Sequence, residues 1–188
     1  MAKDTVRTKT PMNTLSLAEL QTDFREGGTV AMPIAGMIVW AVLGAAALQV
    51  DERTIATGAL YIMMAIMPLA FIIDKLRGRN LFGGGTDNPL TRLFLLSILI
   101  VGLVVPIAIA GANAGEPLIL VVGMAVLAGI VWIPYGWAAD DPVGVRHAVV
   151  RSVGCYTVFA LVPAPYTATA ICAVVVAAYV YSLIFMRR

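Results

Sequence analysis

Apolar and polar residues alternate in long blocks along this chain. Six apolar stretches of about 20 residues, each long enough to cross a bilayer, are separated by polar or proline-containing segments. They predict membrane-spanning helices at 29–49, 54–74, 91–111, 117–138, 144–162 and 166–186. The first and second, third and fourth, and fifth and sixth stretches are joined by short connections, so the pattern predicts three consecutive helical hairpins.

A polar segment, residues 1–28, precedes the first apolar stretch. Ser16 and Glu19 have the spacing of a capping box, in which each side chain satisfies a free backbone donor of the other residue. The apolar residues that follow share one helical face: Leu17, Leu20 and Phe24. The segment therefore predicts a short amphipathic helix at 16–26 on the cytoplasmic membrane surface, ahead of a transmembrane domain at 29–188.

The composition agrees with a membrane location. The 188 residues are 60% hydrophobic and only 13% charged, whereas a soluble domain carries about 25% charged residues. Of the 13 Lys and Arg, all except Arg53 fall on one side of the predicted topology, and the positive-inside rule makes that side cytoplasmic. We expect a multi-pass protein of the plasma (inner) membrane with both termini in the cytoplasm.

The charge distribution also bears on partners. The basic residues are spread over four cytoplasmic segments, so we expect no nucleic acid, and the bilayer with its anionic lipid headgroups is the expected partner. One His and two Cys are too few for a usual structural zinc site, and we expect no metal and no cofactor. Small residues four apart, such as Ala125 and Gly129, also make a homo-oligomer a candidate assembly.

Polar side chains gather at the predicted cytoplasmic ends of the fourth and fifth spans. His147 and Arg151 are four residues apart and share one helical face. Arg151 lies about 10 Å into its span, where an arginine is costly unless it finds a partner, and three aspartates are the nearest candidates. An interfacial ion pair with an aromatic belt is the favoured interpretation, because Trp, Tyr and Arg gather at membrane interfaces. The functional hypothesis is a site for an anionic headgroup or substrate at Tyr135, Asp140, Asp141, His147, Arg151 and Asp74.

No catalytic motif accompanies these residues. Neither H-E-x-x-H nor G-x-S-x-G occurs, so we expect no catalytic residue, and a membrane enzyme acting on a lipid is the least favoured hypothesis. Pro68 and Pro106 fall inside predicted spans, where a proline frees a backbone carbonyl that can line a conduction path, or simply kinks the helix.

A small transporter or channel-like protein with a cytoplasm-facing polar site is the first hypothesis, since polar residues lie beside kinked helices. A non-transporting module that binds lipid or a partner protein is the alternative. A cavity reaching past Arg151 toward Pro68 and Pro106 favours transport, and its absence favours the binding module.

Three short motifs carry a resemblance to a family: Asn88-Pro89-Leu90, Tyr135-Gly-Trp-x2-Asp140 followed by His147 and Arg151, and Asp23-Phe24-Arg25-x-Gly27-Gly28. From about 16 to 188 the chain resembles an uncharacterised family of small six-helix bacterial integral membrane proteins, a domain of unknown function. The resemblance implies a bilayer-spanning fold and assigns no catalytic residue.

Overall fold

The computed structural model describes residues 14–28, 30–78 and 87–187. Residues 1–13 of the predicted N-terminal segment, and 79–86 between the second and third spans, lie outside the described residues. The described ranges contain helices and no strand, which confirms the all-helical class. The helices are α1 (Leu17–Gly27), α2 (Ala31–Ala46), α3 (Glu52–Met63), α4 (Ile66–Leu76), α5 (Pro89–Asn113), α6 (Leu118–Ile130), α7 (Trp132–Ala138), α8 (Pro142–Leu161) and α9 (Thr167–Phe185).

All six apolar stretches are helical, but not all of them are long and apolar enough to cross a membrane alone. Three qualify, namely α5, the continuous segment Leu118–Ala138, and α9. The number rises to five if α1 with α2, and α3 with α4, are each one bent span. α8 does not qualify because Arg146, His147 and Arg151 lower its mean hydropathy. Helix length and hydropathy therefore support three to five spans rather than the six expected.

Prolines interrupt two of the predicted spans. The second, expected as one helix over 54–74, consists of α3 and α4, which meet at a bend of 46°. Pro68 has no N–H for the carbonyl of Met64, and its ring clashes with that carbonyl. The fourth span has a milder interruption at Val131, shortly before Pro134, and its segment Leu118–Ala138 still counts as one continuous span.

Consecutive helices pack as three hairpins, as the sequence predicts. α2 packs against α3 and α4, α5 against α6 and α7, and α8 against α9. α2 also packs along α9, and α6 contacts α3, α8 and α9. The main core therefore surrounds α6 and α9, where Val121, Ala125 and Ile171 are fully buried.

The two described ends of the chain meet at the turn between α7 and α8. Arg25 of α1 donates a hydrogen bond to the carbonyl oxygen of Ala139 at 3.3 Å. Beyond α9, the Arg187 guanidinium donates to the carbonyl oxygen of Asp140 at 2.8 Å. α1 and Arg187 therefore lie at the same end of the helix bundle, which we call the α1 end.

α1 begins with the predicted capping box. Ser16 Oγ accepts a hydrogen bond from the Glu19 N–H at 3.4 Å, and the Glu19 carboxylate accepts one from the Ser16 N–H at 2.8 Å. These bonds satisfy two backbone donors that a helix start otherwise leaves free. The observed helix, Leu17–Gly27, agrees with the predicted 16–26.

α1 is docked on the bundle as well as being amphipathic. The Phe24 ring lies 5.9 Å from that of Phe94 on α5 and 5.9 Å from that of Tyr135 on α7, measured between ring centroids. Asn88, which caps α5, donates a hydrogen bond to the Asp23 carboxylate at 2.9 Å. These contacts fix α1 to the first turns of α5 and to α7.

Acid is expected to loosen α1. Hydrogen bonds from Ser16 hold the pKa of the Glu19 carboxyl below its ordinary value of 4.5. A lowered folded-state pKa stabilises the helix above the unfolded-state pKa, and this contribution is lost as the pH falls through the folded-state pKa. A spin label on the exposed Ala18 should therefore become more mobile in that acidic window. Glu19→Gln keeps an acceptor that does not titrate, and equal changes in both proteins would contradict the assignment.

Candidate functional site

The site begins where α7 and α8 cross with no side chain between them. A Cβ placed on Gly136 would lie 2.7 Å from the carbonyl oxygen of Asp141 and 2.9 Å from the Cα of Gly144. A Cβ on Gly144 would strike the Cα of Gly136 and the carbonyl oxygen of Trp132. Glycine at both positions allows this backbone contact. The crossing brings Trp132 beside His147, one turn after Gly144.

His147 is enclosed by α7 and α9. Its ring stacks on Trp132 with 4.0 Å between centroids, and the Tyr179 ring lies edge-on at 5.2 Å. Its Nδ1 lies 2.7 Å from Ser182 Oγ and 3.1 Å from the carbonyl oxygen of Ala178. Because a carbonyl can only accept, Nδ1 carries a proton. Because a guanidinium can only donate, Nε2, which lies 3.5 Å from Arg151 Nη1, is an acceptor. His147 is therefore neutral in this arrangement.

Arg151 lies one turn deeper on the same face of α8, as its spacing from His147 predicts. The residue is 0% exposed, and its Cζ lies 5.4 Å from the Trp40 ring centroid and 5.2 Å from that of Tyr179. Its Nη1 donates a long hydrogen bond of 3.5 Å to His147 Nε2. Nε and Nη2 have no hydrogen-bond partner, and within the described ranges no carboxylate lies at ion-pair distance from Arg151.

The three aspartates expected to pair with Arg151 lie away from its side chain. Asp140 forms an ion pair with Arg187 at 3.5 Å. The Asp141 carboxylate caps α8 and also accepts the Arg187 N–H at 2.8 Å. Asp74 is buried on α4, which packs against α2. The expected pairing of Arg151 with one of them is wrong, because the short side chains of Asp140 and Asp141 stay in the turn at the α1 end.

Tyr135 belongs to an aromatic cluster near the α1 end. Its ring centroid lies 5.9 Å from those of Phe24 and Phe94 and 5.3 Å from that of Trp132. All four side chains line one cavity of about 300 Å³. Tyr135 therefore faces this cavity, while His147 and Arg151 lie behind Trp132.

The cavity is mainly apolar and lies between α4 and α5, which pack against different neighbours. Its lining includes Met32, Met67, Leu95, Ile98, Val101 and Ala128. Neither His147 nor Arg151 lines it, but Trp132 and Tyr179 do. Since Trp132 and Tyr179 also contact the polar pair, these two rings separate the apolar cavity from the buried His147 and Arg151.

Comparison with family models shows which family the chain belongs to. Residues 17–187 match one model over nearly the whole described fold. The chain belongs to DUF7010, a family of unknown function. The match confirms the resemblance to a domain-of-unknown-function family that the short motifs carry. No curated protein and no solved structure matches the chain.

DUF7010 membership assigns no activity, so the geometry has to identify the residues that matter. Three residues of the site do not stand out in the sequence: Trp40, Tyr179 and Ser182. Tyr179 and Ser182 are polar residues three apart in the mainly apolar α9, and this shared face is the signal that could have indicated them. Trp40 carries no such signal, because an aromatic residue in an apolar helix is equally expected in the core.

Proposed function

We propose that this DUF7010 protein is a six-span plasma-membrane protein that holds a lipid acyl chain in the cavity between α4 and α5. The observation that supports the proposal is the apolar cavity of about 300 Å³, which is at the lower end of the range for small-molecule sites, about 300–1,000 Å³. Its lining does not include Arg151, Pro68 or Pro106, and this favours a binding module over a transporter.

The exposed face of α8 supports a sixth span. His147 and Arg151 point into the bundle and are fully buried, whereas Val149, Val150 and Val153 are more than half exposed. A mean hydropathy counts inward-facing polar residues against a span, although lipid would meet only the apolar face. We therefore include α8 among the spans.

The exposed face of α5 supports lipid as the source of the ligand. Leu103 is 69% and Ile107 71% exposed, so an apolar surface continues around the helix that lines one side of the cavity. We therefore propose an acyl chain entering from the bilayer.

The proposed orientation has the α1 end in the cytoplasm. Arg53 follows the first residue of α3, at the opposite end of the bundle. The remaining basic residues at the described helix ends belong to the α1 end, as the positive-inside rule requires of a cytoplasmic side: Arg25, Lys75, Arg77, Arg92, Arg146 and Arg187.

Cysteine labelling tests this orientation. A cysteine at the exposed Ala18 should react with a membrane-impermeant maleimide only after the cells are opened. A cysteine at the exposed Ala114, between α5 and α6, should react in intact cells. Cys155 and Cys172 are buried, so the parent protein is the unlabelled control. Reaction at both positions in intact cells would contradict the proposed topology.

Trp132 reports on the contents of the cavity because it lines the wall. In a protein with Trp40 and Trp137 changed to Phe, phospholipid vesicles with brominated acyl chains should quench Trp132 fluorescence. Adding Ala128→Phe fills the cavity and should remove most of the quenching. Adding Leu103→Phe, on the exposed face of α5, should leave it unchanged. Undiminished quenching with Ala128→Phe would exclude acyl-chain binding in the cavity.

A further inference from the structure

We infer that Arg151 and Trp40 form a binding site for a small planar monoanion of the carboxylate or bicarbonate class, in the centre of the bundle. In the part of the chain that the structure describes, three buried N–H donors of these two residues have no acceptor: Arg151 Nε, Arg151 Nη2 and Trp40 Nε1. Both residues are 0% exposed, and the Arg151 Cζ lies 5.4 Å from the Trp40 ring centroid. The inference is independent of the proposed acyl-chain site.

The missing partner has to accept hydrogen bonds and carry negative charge. A guanidinium buried without a counter-charge is strongly unfavourable in a membrane protein. His147 supplies no charge, because it is neutral, and the rings of Trp40 and Tyr179 compensate the cation only in part. A water molecule would accept hydrogen bonds and leave the charge in place. One negative charge would neutralise the site.

The free donors define the shape of this anion. Nη1 of Arg151 is directed to His147, and among the described residues Nε and Nη2 have no hydrogen-bond partner. These two N–H groups lie on one edge of the planar guanidinium and form a fork that matches two coplanar oxygen atoms. A Cβ on Gly129 would lie 3.3 Å from Nε, so helix α6 packs closely beside this edge. The fork and the close packing favour a small oxoanion over a phosphate group.

Two sources offer this chemistry, a free small anion and the carboxylate head of an amphiphile. The test uses the full-length protein in detergent micelles at constant ionic strength, with formate, chloride, octanoate and the neutral octanol as probes. Formate or octanoate should raise the midpoint of thermal unfolding saturably, and chloride should not. A response to formate assigns the site to a free anion. A response to octanoate alone, absent with octanol, assigns it to the head of an amphiphile.

Two substitutions and a matched control decide the role of the donors. Arg151→Lys keeps the charge and loses the fork, and should weaken binding of the responding carboxylate about tenfold or more. Trp40→Phe keeps the ring and removes one donor to the anion, and should also weaken binding about tenfold. The Trp40→Phe variant keeps the test decisive if the Arg151→Lys variant does not fold. Arg146→Lys, on an exposed position of α8, should bind as the parent does.

Equal responses to formate and chloride with no response to octanoate, or a carboxylate response that both Arg151→Lys and Trp40→Phe retain in full, would overturn the inference. Ala128→Phe should remove most of the acyl-chain quenching without changing binding of the responding carboxylate. The anion site and the acyl-chain cavity can therefore fail separately.

Discussion

Leucine in place of Gly144 is expected to destabilise the protein by more than about 3 kcal/mol, above the usual cost of overpacking. A side chain at this position meets the Cα of Gly136 and the carbonyl oxygen of Trp132. Both are backbone atoms of α7, so no rotamer change relieves the clash and the helices have to separate. Separation also breaks the stacking of Trp132 on His147, because the crossing holds those rings together.

The matched control is Gly102→Leu on α5. A Cβ at Gly102 meets nothing within 4 Å, so the same substitution adds only exposed apolar surface there. Thermal and denaturant unfolding of both variants in the same micelles measures the difference. A similar loss of stability in the two variants would show that the α7–α8 contact is not the reason why position 144 requires a small residue.

Methionine in place of Arg151 is expected to stabilise the protein by about 1–3 kcal/mol in a chloride buffer without carboxylates, since replacing buried ionic groups by well-packed apolar ones often does so. Methionine is unbranched and can occupy much of the same space beside Trp40 and Gly129. It removes a buried charge whose Nε and Nη2 have no partner. The free energy gained by removing the charge should exceed the free energy lost with the contacts to the rings of Trp40 and Tyr179.

Arg151→Ala distinguishes the effect of the buried charge on stability from the effect of side-chain packing. It removes the same charge but leaves a void in the core, and should be about 2–5 kcal/mol less stable than Arg151→Met. The responding carboxylate, formate or octanoate, should stabilise the parent and leave the stability of Arg151→Met unchanged. The difference in stability between the two proteins should therefore shrink as the carboxylate concentration rises. A methionine variant that is less stable than the parent without carboxylate would show that the guanidinium is already compensated within the fold.

Features that depend on residues close in sequence were predictable. The capping box of Ser16 and Glu19 appears where the sequence places it, because a backbone donor at a helix start is satisfied within a few residues. The shared face of His147 and Arg151 follows equally from the helical repeat. Each of these requires only the local backbone geometry.

Features that depend on distant residues were not predictable. The sequence suggested aspartates as partners for Arg151, but the structure places Trp40 and Tyr179 around it. A kink at Pro68 was one of the expected outcomes, but the 46° bend that divides this span into α3 and α4 was not predictable. A proline within an apolar run is compatible with a mild kink or a full break, and the neighbouring helices decide which one forms.

By itself the sequence determined the helical class, the order of the apolar segments, the helix caps and the basic bias toward the α1 end, because each follows from local hydrogen bonding or from residue polarity alone. The tertiary structure decided which side chains meet. His147 binds Ser182 across 35 positions of the chain, and Trp132 reaches His147 because two glycines let α7 and α8 touch. Such contacts depend on how complementary surfaces pack, so the buried Arg151 and the cavity beside it emerge only from the assembled bundle.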